Sequence, residues 1–275
     1  MNLDRYLKRI GLDHRPPATL EGLRMVHRAH LLAIPYENID VQLGRPVTTA
    51  IAPIYDKIIE RGRGGWCYEM NGSLGWALKE LGFDVIRATG AVVRALKGEA
   101  AVGNHLVLRV ELPEGLYLAD VGFGDGPRDP IPLKVGAFVS EGFHFGLSRV
   151  DDAWWRFAND PRGSAPSFDF NLAPADEAVL AAKCEFLQTS PMSPFVQNLV
   201  VQRHMSNGLA ILRGRTLREL TPTETRERVF EDVTDLMTTL TTVFGLDVPE
   251  VAGLWSKIVT RHDEVMAQKK AAAPA

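Results

Sequence analysis

The hydrophobic pattern of this chain changes its period near residue 85, and that change limits the architecture more than any other feature. Before it, apolar residues recur at spacings of three and four, the mark of helices with one buried face. From Val85 to about Phe170 the period is two, because successive side chains of a strand point to opposite sides. The switch predicts an α+β protein with a helical first region and a β second region.

The stretch Leu20 to Ala33 carries Leu20, Leu23, Val26, His27, His30 and Leu31 on one face, with Ile34 just beyond, and Pro35 stops it. A second helix, Cys67 to Leu81, has Met70, Leu74, Ala77, Leu78 and Leu81 as its stripe, and Gly82 as its C-terminal cap. The approach Arg61-Gly62-Arg63-Gly64-Gly65 allows positive φ. Strands are predicted at Val85–Leu96, His105–Leu112, Leu116–Val121, Phe138–Arg149 and Trp154–Ala158. Turn residues separate them, so an antiparallel barrel or strongly curved sheet is expected. Residues 173 to 195 read as a helix or connector. Asn198–His204 and Leu209–Leu212 form a hairpin on Asn207-Gly208, a sequence that suits a type I′ turn. Helix returns from Thr223, with Val229, Val233, Leu236, Leu240 and Val243 as its stripe. Trp255, Ile258 and Val259 mark a last helix, and residues 269 to 275 a frayed tail.

The charges, 31 basic against 34 acidic residues in 275, are mixed along the chain, so no basic patch points to nucleic acid. No segment has the length and apolarity of a signal peptide or a membrane span, which makes the cytoplasm the expected location. Two cysteines, Cys67 and Cys184, with no C-x-x-C pair, suggest neither a structural zinc site nor a disulfide framework. His27 and His30 share a helix face but lack further ligands, so no metal is expected.

Cys67 opens a predicted helix after a glycine-rich turn. Helix N-termini carry partial positive charge and free N–H groups. A thiol there has its pKa lowered, and the same amides, Cys67's own among them, suit a tetrahedral oxyanion. Cys184 lies mid-segment among apolar residues and reads as packing. His105 begins one strand and Asp120 ends the next. If Leu106, Leu108 and Val110 share a continuous apolar face with Tyr117, Ala119 and Val121, His105 and Asp120 share the other. They are then direct or diagonal neighbours, about 5 to 8 Å apart at Cβ. The carboxylate is expected to hold Nδ1–H and leave Nε2 free. The trio matches the roles of nucleophile, base and orienter. Glycines at 122, 124 and 126 follow a strand, but Pro127, Pro130 and Pro132 prevent a helix from opening there, which rejects a dinucleotide fingerprint.

Residues 63 to 71, Arg-Gly-Gly-Trp-Cys-Tyr-Glu-Met-Asn, resemble the R-G-G-x-C segment of the arylamine N-acetyltransferases. Ile34-Pro35-Tyr36-Glu37-Asn38 resembles that family's I-P-F-E-N. Asn104-His105-Leu106, Asp120-Val121-Gly122-Phe123-Gly124 and Ser193-Pro194-Phe195 follow in order, and the likeness runs over about residues 1 to 265. It implies a helical domain (1–84) with the nucleophile, a β-barrel domain (85–190) with the histidine and aspartate, an interdomain segment and start of the lid (191–212) and a C-terminal α/β lid (213–275). It also implies a cysteine-protease-like triad of Cys67, His105 and Asp120. Acetyl-coenzyme A is the implied co-substrate, with no tightly bound cofactor, and an arylamine, arylhydroxylamine or arylhydrazine the acceptor. Phe123, Phe195 and Tyr36 look like pocket walls, and Glu37–Arg63 like an ion pair supporting the cysteine loop. The amides of Gly124 and Gly126 are placed to meet coenzyme A phosphates. Tyr36 departs from the commoner phenylalanine, adding a hydroxyl that bears on acceptor preference and leaves the reaction type unchanged. Two other readings share these residues: a cysteine amidase or peptidase, with water in place of the amine, and a binding domain without catalysis.

Overall fold

The structure, a computed structural model, describes residues 1–272. The first region is helical as its period requires: α1 (Leu3–Arg9), α2 (Leu20–Ala33), α3 (Ile39–Gln42), α4 (Ile51–Tyr55) and α5 (Cys67–Glu80). A two-residue strand, β1 (Tyr36–Glu37), interrupts them, and a π-helical turn (Asp56–Glu60) continues α4. Thr19 caps α2 by accepting the Gly22 amide, and Asn2 caps α1 by accepting that of Arg5. The apolar stripes of α1, α2 and α5 meet in one core, which also takes Leu108, Val110, Tyr117, Ala119 and Val121 from the sheet.

The β region holds β2 (Asp84–Val92), α6 (Arg94–Lys97), β3 (His105–Leu112), β4 (Gly115–Ala119), β5 (Ile131–Pro132), β6 (Gly136–Ser140), β7 (Phe143–Arg149), β8 (Trp154–Ala158) and β9 (Ser167–Pro174). They form one antiparallel sheet in the order β5-β4-β3-β2-β9-β8-β7-β6, curled into a half-barrel. Two predicted strands are corrected. Val85–Leu96 stops at Val92, where Val93 turns left-handed at φ 54°. Phe138–Arg149 is a hairpin, broken at Glu141 (φ 50°) and Gly142 (φ 82°). β9 went unread although Pro161, Gly163 and Pro166 precede it and Pro174 ends it.

The last region contains α7 (Glu177–Thr189), α8 (Pro194–Gln197), β10 (Val200–Met205), β11 (Gly208–Arg213), β12 (Thr216–Leu220), β13 (Thr225–Val229), α9 (Val233–Thr242) and α10 (Trp255–Ala272). A second sheet runs β1-β10-β11-β12-β13, so Tyr36 and Glu37 of the helical region form its edge. Met205 pairs with Gly208, which makes Ser206-Asn207 the turn. Neither turn residue has positive φ, so the type I′ expectation fails. Gly208 is needed instead because a side chain there would strike the Leu220 carbonyl. The helix expected from Thr223 starts at Val233 under an Asp232 cap. Thr225–Val229 is an edge strand whose side chains are all exposed. The tail expected to fray from 269 is helical to Ala272, and its remainder lies outside the described residues.

Candidate active site

The glycine-rich approach to Cys67 serves contact more than conformational freedom. Of its glycines, Gly62 alone has positive φ (67°). A Cβ on Gly64 would lie 2.9 Å from Glu37 Cγ, and one on Gly65 2.6 Å from Glu69 Cβ. Those contacts press the loop onto β1 on one side and onto the helix start on the other. Cys67 is the first residue of α5, after an extended Trp66 whose amide donates to the Glu69 carboxylate (3.2 Å), the carboxylate half of an N-terminal capping box. The thiol is 3% exposed and donates to the Asn104 carbonyl (3.8 Å). The amides of Leu106 and Tyr68 also face the sulfur. Cys67 thus lies against the backbone on both sides of His105.

The β3–β4 register pairs Leu108 with Ala119 and Val110 with Tyr117, as the apolar face demanded. Continuing that ladder makes His105 and Asp120 diagonal neighbours. A diagonal gap favours the ring nitrogen farther from Cβ, so Nε2, not the expected Nδ1, meets Asp120 Oδ2 at 2.7 Å. Nδ1 is left free of the carboxylate. Gly90 pairs with His105 across the β2–β3 ladder, and a Cβ there would come within 3.0 Å of the imidazole.

Sequence reading missed the group that joins helix to sheet. Asn71 donates to Asp120 Oδ1 (2.7 Å) and the Leu106 carbonyl (2.6 Å), and its Oδ1 accepts the Val121 amide (2.9 Å). Its signal was the spacing: Asn71 follows Cys67 by four residues and so shares its helix face. His27 was also missed. Its Nδ1–H donates to the Arg128 carbonyl (2.7 Å), and Nε2 accepts the Asp120 amide (3.2 Å). Two backbone partners fix it as a neutral tautomer.

Burial would raise the Asp120 carboxyl, but His105, Asn71 and the Gly122 amide outweigh it and hold it below the ordinary carboxylate range. Cys67 goes the other way. Burial, then Cys184, push the thiol well above its usual value, although the Leu106 and Tyr68 amides favour the thiolate. The helix terminus acts in the expected direction and is outweighed by desolvation. Thiolate formation therefore needs a counter-charge close by.

Phe123 lies edge-on to His105 (6.0 Å between centroids) and packs on Phe168 (4.9 Å). Phe195 meets Trp66 edge-on at 5.3 Å. Tyr36 is buried in the apolar cluster that contains Cys67 and Trp66. Gly124 (φ 93°) abuts the Gln202 side chain, and Gly126 abuts Phe123. Arg63 binds Glu37 at 2.7 Å. Beyond Phe195 a cleft of about 470 Å³ opens between Ser164, Gln197, β11–β13 and α10. Arg213, Arg218, Lys257, Arg261 and Lys269 line it against one carboxylate, Glu227.

A sequence model of a family described as N-acetyltransferase matches residues 19–252. The arylamine N-acetyltransferase of Mycolicibacterium smegmatis is 37% identical over 262 residues, spanning 92% of this chain and 94% of that protein. That of Mycobacterium tuberculosis is 30% identical over 291 residues, spanning 99% and 98%. Among solved structures, a cysteine-to-glutamine form of the M. smegmatis enzyme superposes with a TM-score of 0.85 at 34% identity, covering 94% of this chain and 98% of that one. The M. marinum arylamine N-acetyltransferase in complex with CoA superposes with a TM-score of 0.84 at 31% identity, covering 96% and 99%.

Proposed function

Because this chain belongs to the arylamine N-acetyltransferase family, and so is an acyltransferase, we propose that it moves an acetyl group from acetyl-coenzyme A to an aromatic amine or hydrazine by way of Cys67. The observation that carries this reading is the 2.7 Å bond between His105 and Asp120 on the strand against which Cys67 lies. An ionised Asp120 holds Nε2–H, so Nδ1 takes the thiol proton. The imidazolium that forms supplies the counter-charge the buried thiolate lacks. The thiolate adds to the thioester carbonyl, with the oxyanion facing the Cys67 amide at the start of α5. The bond to the coenzyme A sulfur then breaks, and that sulfur leaves with the proton from His105. Next the amine nitrogen adds to the acetyl-cysteine and loses a proton to His105, and the bond to Cys67 breaks to restore the thiol.

Phe123, Phe195 and Tyr36 wall the acceptor side in this reading. The cations of the cleft supply counter-charge for the coenzyme A phosphates, and the amides of Gly124 and Gly126 are further donors toward them in this reading. Arg63 and Glu37 hold the cysteine loop. The helical, half-barrel and lid regions correspond in this reading to residues 1–84, 85–190 and 213–275, with 191–212 as the interdomain segment and the start of the lid.

The deciding experiment mixes acetyl-coenzyme A with purified protein, with and without an aromatic amine, and follows amide, acetate and the mass of the peptide containing Cys67. A 42 Da gain on Cys67 without amine, discharged to amide on its addition, is the expected result (the mass of an acetyl replacing hydrogen, about 42). Free acetate as the main product would instead favour the hydrolase. A Cys67→Ala variant with normal amide synthesis would exclude the whole scheme.

A further inference from the structure

The π-helical turn at Asp56–Glu60 carries Lys57 into the interior, and such turns recur at functional sites. Lys57 is 3% exposed. Its ammonium reaches both oxygens of Glu69 (3.0 and 2.9 Å), Asp40 Oδ2 (3.0 Å) and, at 3.8 Å, Glu37. The cluster holds three carboxylates and three cations. Arg63 serves Glu37 and Asp40, and Arg45 touches Asp40 at the rim (3.7 Å). Lys57 is the only cation within ion-pair distance of Glu69 among the described residues. Glu69 in turn accepts the Trp66 amide, one residue before the sulfur-bearing position.

We propose that Lys57 is a positioning residue for Cys67: its ammonium holds Glu69 as the acceptor of the Trp66 amide, and so fixes the first turn of α5 beneath the thiol. The inference rests on Cys67 being the nucleophile. Burial raises the Glu69 carboxyl, and Lys57 is the main opposing influence. Without Lys57 a buried carboxylate takes up a proton or turns away, and it is then a poor partner for the amide. Burial would also discharge Lys57, yet Glu37, Glu69 and Asp40 hold it charged. The other titratable groups around the thiol are His105 on β3, Asp120 beyond β4, Tyr36 on β1, Tyr68 on α5 and Cys184 on α7. None of them pairs with Glu69.

The test compares wild type with Lys57→Met and two double variants, Lys57→Met/Glu69→Gln and Lys57→Met/Glu69→Leu. Three readouts are needed: the pH dependence of Cys67 alkylation by iodoacetamide, kcat and KM for acetyl-coenzyme A, and Tm. Lys57→Met is expected to move the alkylation midpoint to higher pH and lower kcat by about ten- to a hundredfold, the scale of a small misplacement, with KM little changed. The glutamine double variant should regain both values, because an amide oxygen accepts the same N–H without a counter-ion. The leucine double variant, equally free of unpaired charge, should remain impaired. A lowered Tm with an unchanged midpoint and kcat would overturn the proposal, as would two double variants that behave alike. If Lys57→Met alone does not fold, the pair of double variants still decides. The alkylation midpoint is read on the thiol itself, so this result stands apart from whether Cys67 carries acetyl.

Discussion

Asp120 shows how one side chain gathers its environment. Its carboxylate accepts from His105, from Asn71 and from the Gly122 amide (2.8 Å), while its own amide donates to His27. A buried carboxylate needs that many donors to stay ionised. Asp120→Asn keeps the shape but loses the charge that stabilises an imidazolium. Acetyl transfer should fall by about 10³ to 10⁴, the scale of the corresponding change in serine enzymes, and the midpoint of Cys67 alkylation should move to higher pH. A loss of only a few-fold, with the midpoint unmoved, would remove Asp120 from the mechanism.

Between elements, the decisive contact is the loop after β4 against the start of α5. A Cβ on Gly122 would lie 2.6 Å from Asn71 Nδ2 and 2.8 Å from both Cys67 Cα and its carbonyl oxygen. Two of those three atoms are backbone and cannot turn aside. Gly122→Ala should therefore push loop and helix apart, destabilise by about 1 to 3 kcal/mol as overpacking does, and cost acetyl transfer more than Tm alone explains. Denaturant melts and kcat on the same preparation check both. A variant of wild-type activity would mean that the loop yields freely. Further along α5, Gly75 brings the helix onto Leu108, where a Cβ would come within 3.0 Å of the leucine side chain, so small residues set the helix-to-sheet distance at two points.

The molecule as a whole buries four histidines, and three of them, His27, His30 and His204, lie away from the Cys67 thiol. Burial lowers His27, and lowers His30 and His204 to about 3. Each folded value is below the unfolded one near 6.5. The unfolded chain therefore binds more protons as pH falls below about 6.5, and stability is lost in that direction, down to about pH 3 for His30 and His204. Each histidine contributes a slope of up to about 1.4 kcal/mol per pH unit. Tm should hold near neutrality and drop steeply between about pH 6 and pH 4, and His204→Gln should flatten that drop. An unchanged profile would argue against a buried neutral His204. On the same scale, the cleft joins three regions of the chain. Arg213→Gln and Lys257→Gln should raise KM for acetyl-coenzyme A several-fold, and the effect should fade with salt. Transfer from acetyl-pantetheine, which lacks the nucleotide, should not change. Equal losses with both donors would move the phosphates elsewhere.

The α+β class, the position of Cys67 at a helix start and the common face of His105 and Asp120 all followed from local rules. Those rules are helix period, strand alternation and the parity of a two-residue hairpin, and each acts between neighbours in the chain. They failed where neighbours were insufficient. Which imidazole nitrogen meets Asp120 depends on a diagonal offset, and the turn at Ser206-Asn207 was obscured by a glycine needed for distant Leu220. Asn71, His27 and Lys57 act on groups up to about a hundred residues away, and no periodicity records such partners. Burial, which raises the Cys67 thiol against its helix terminus, likewise belongs to the assembled interior, because desolvation depends on everything that surrounds a group.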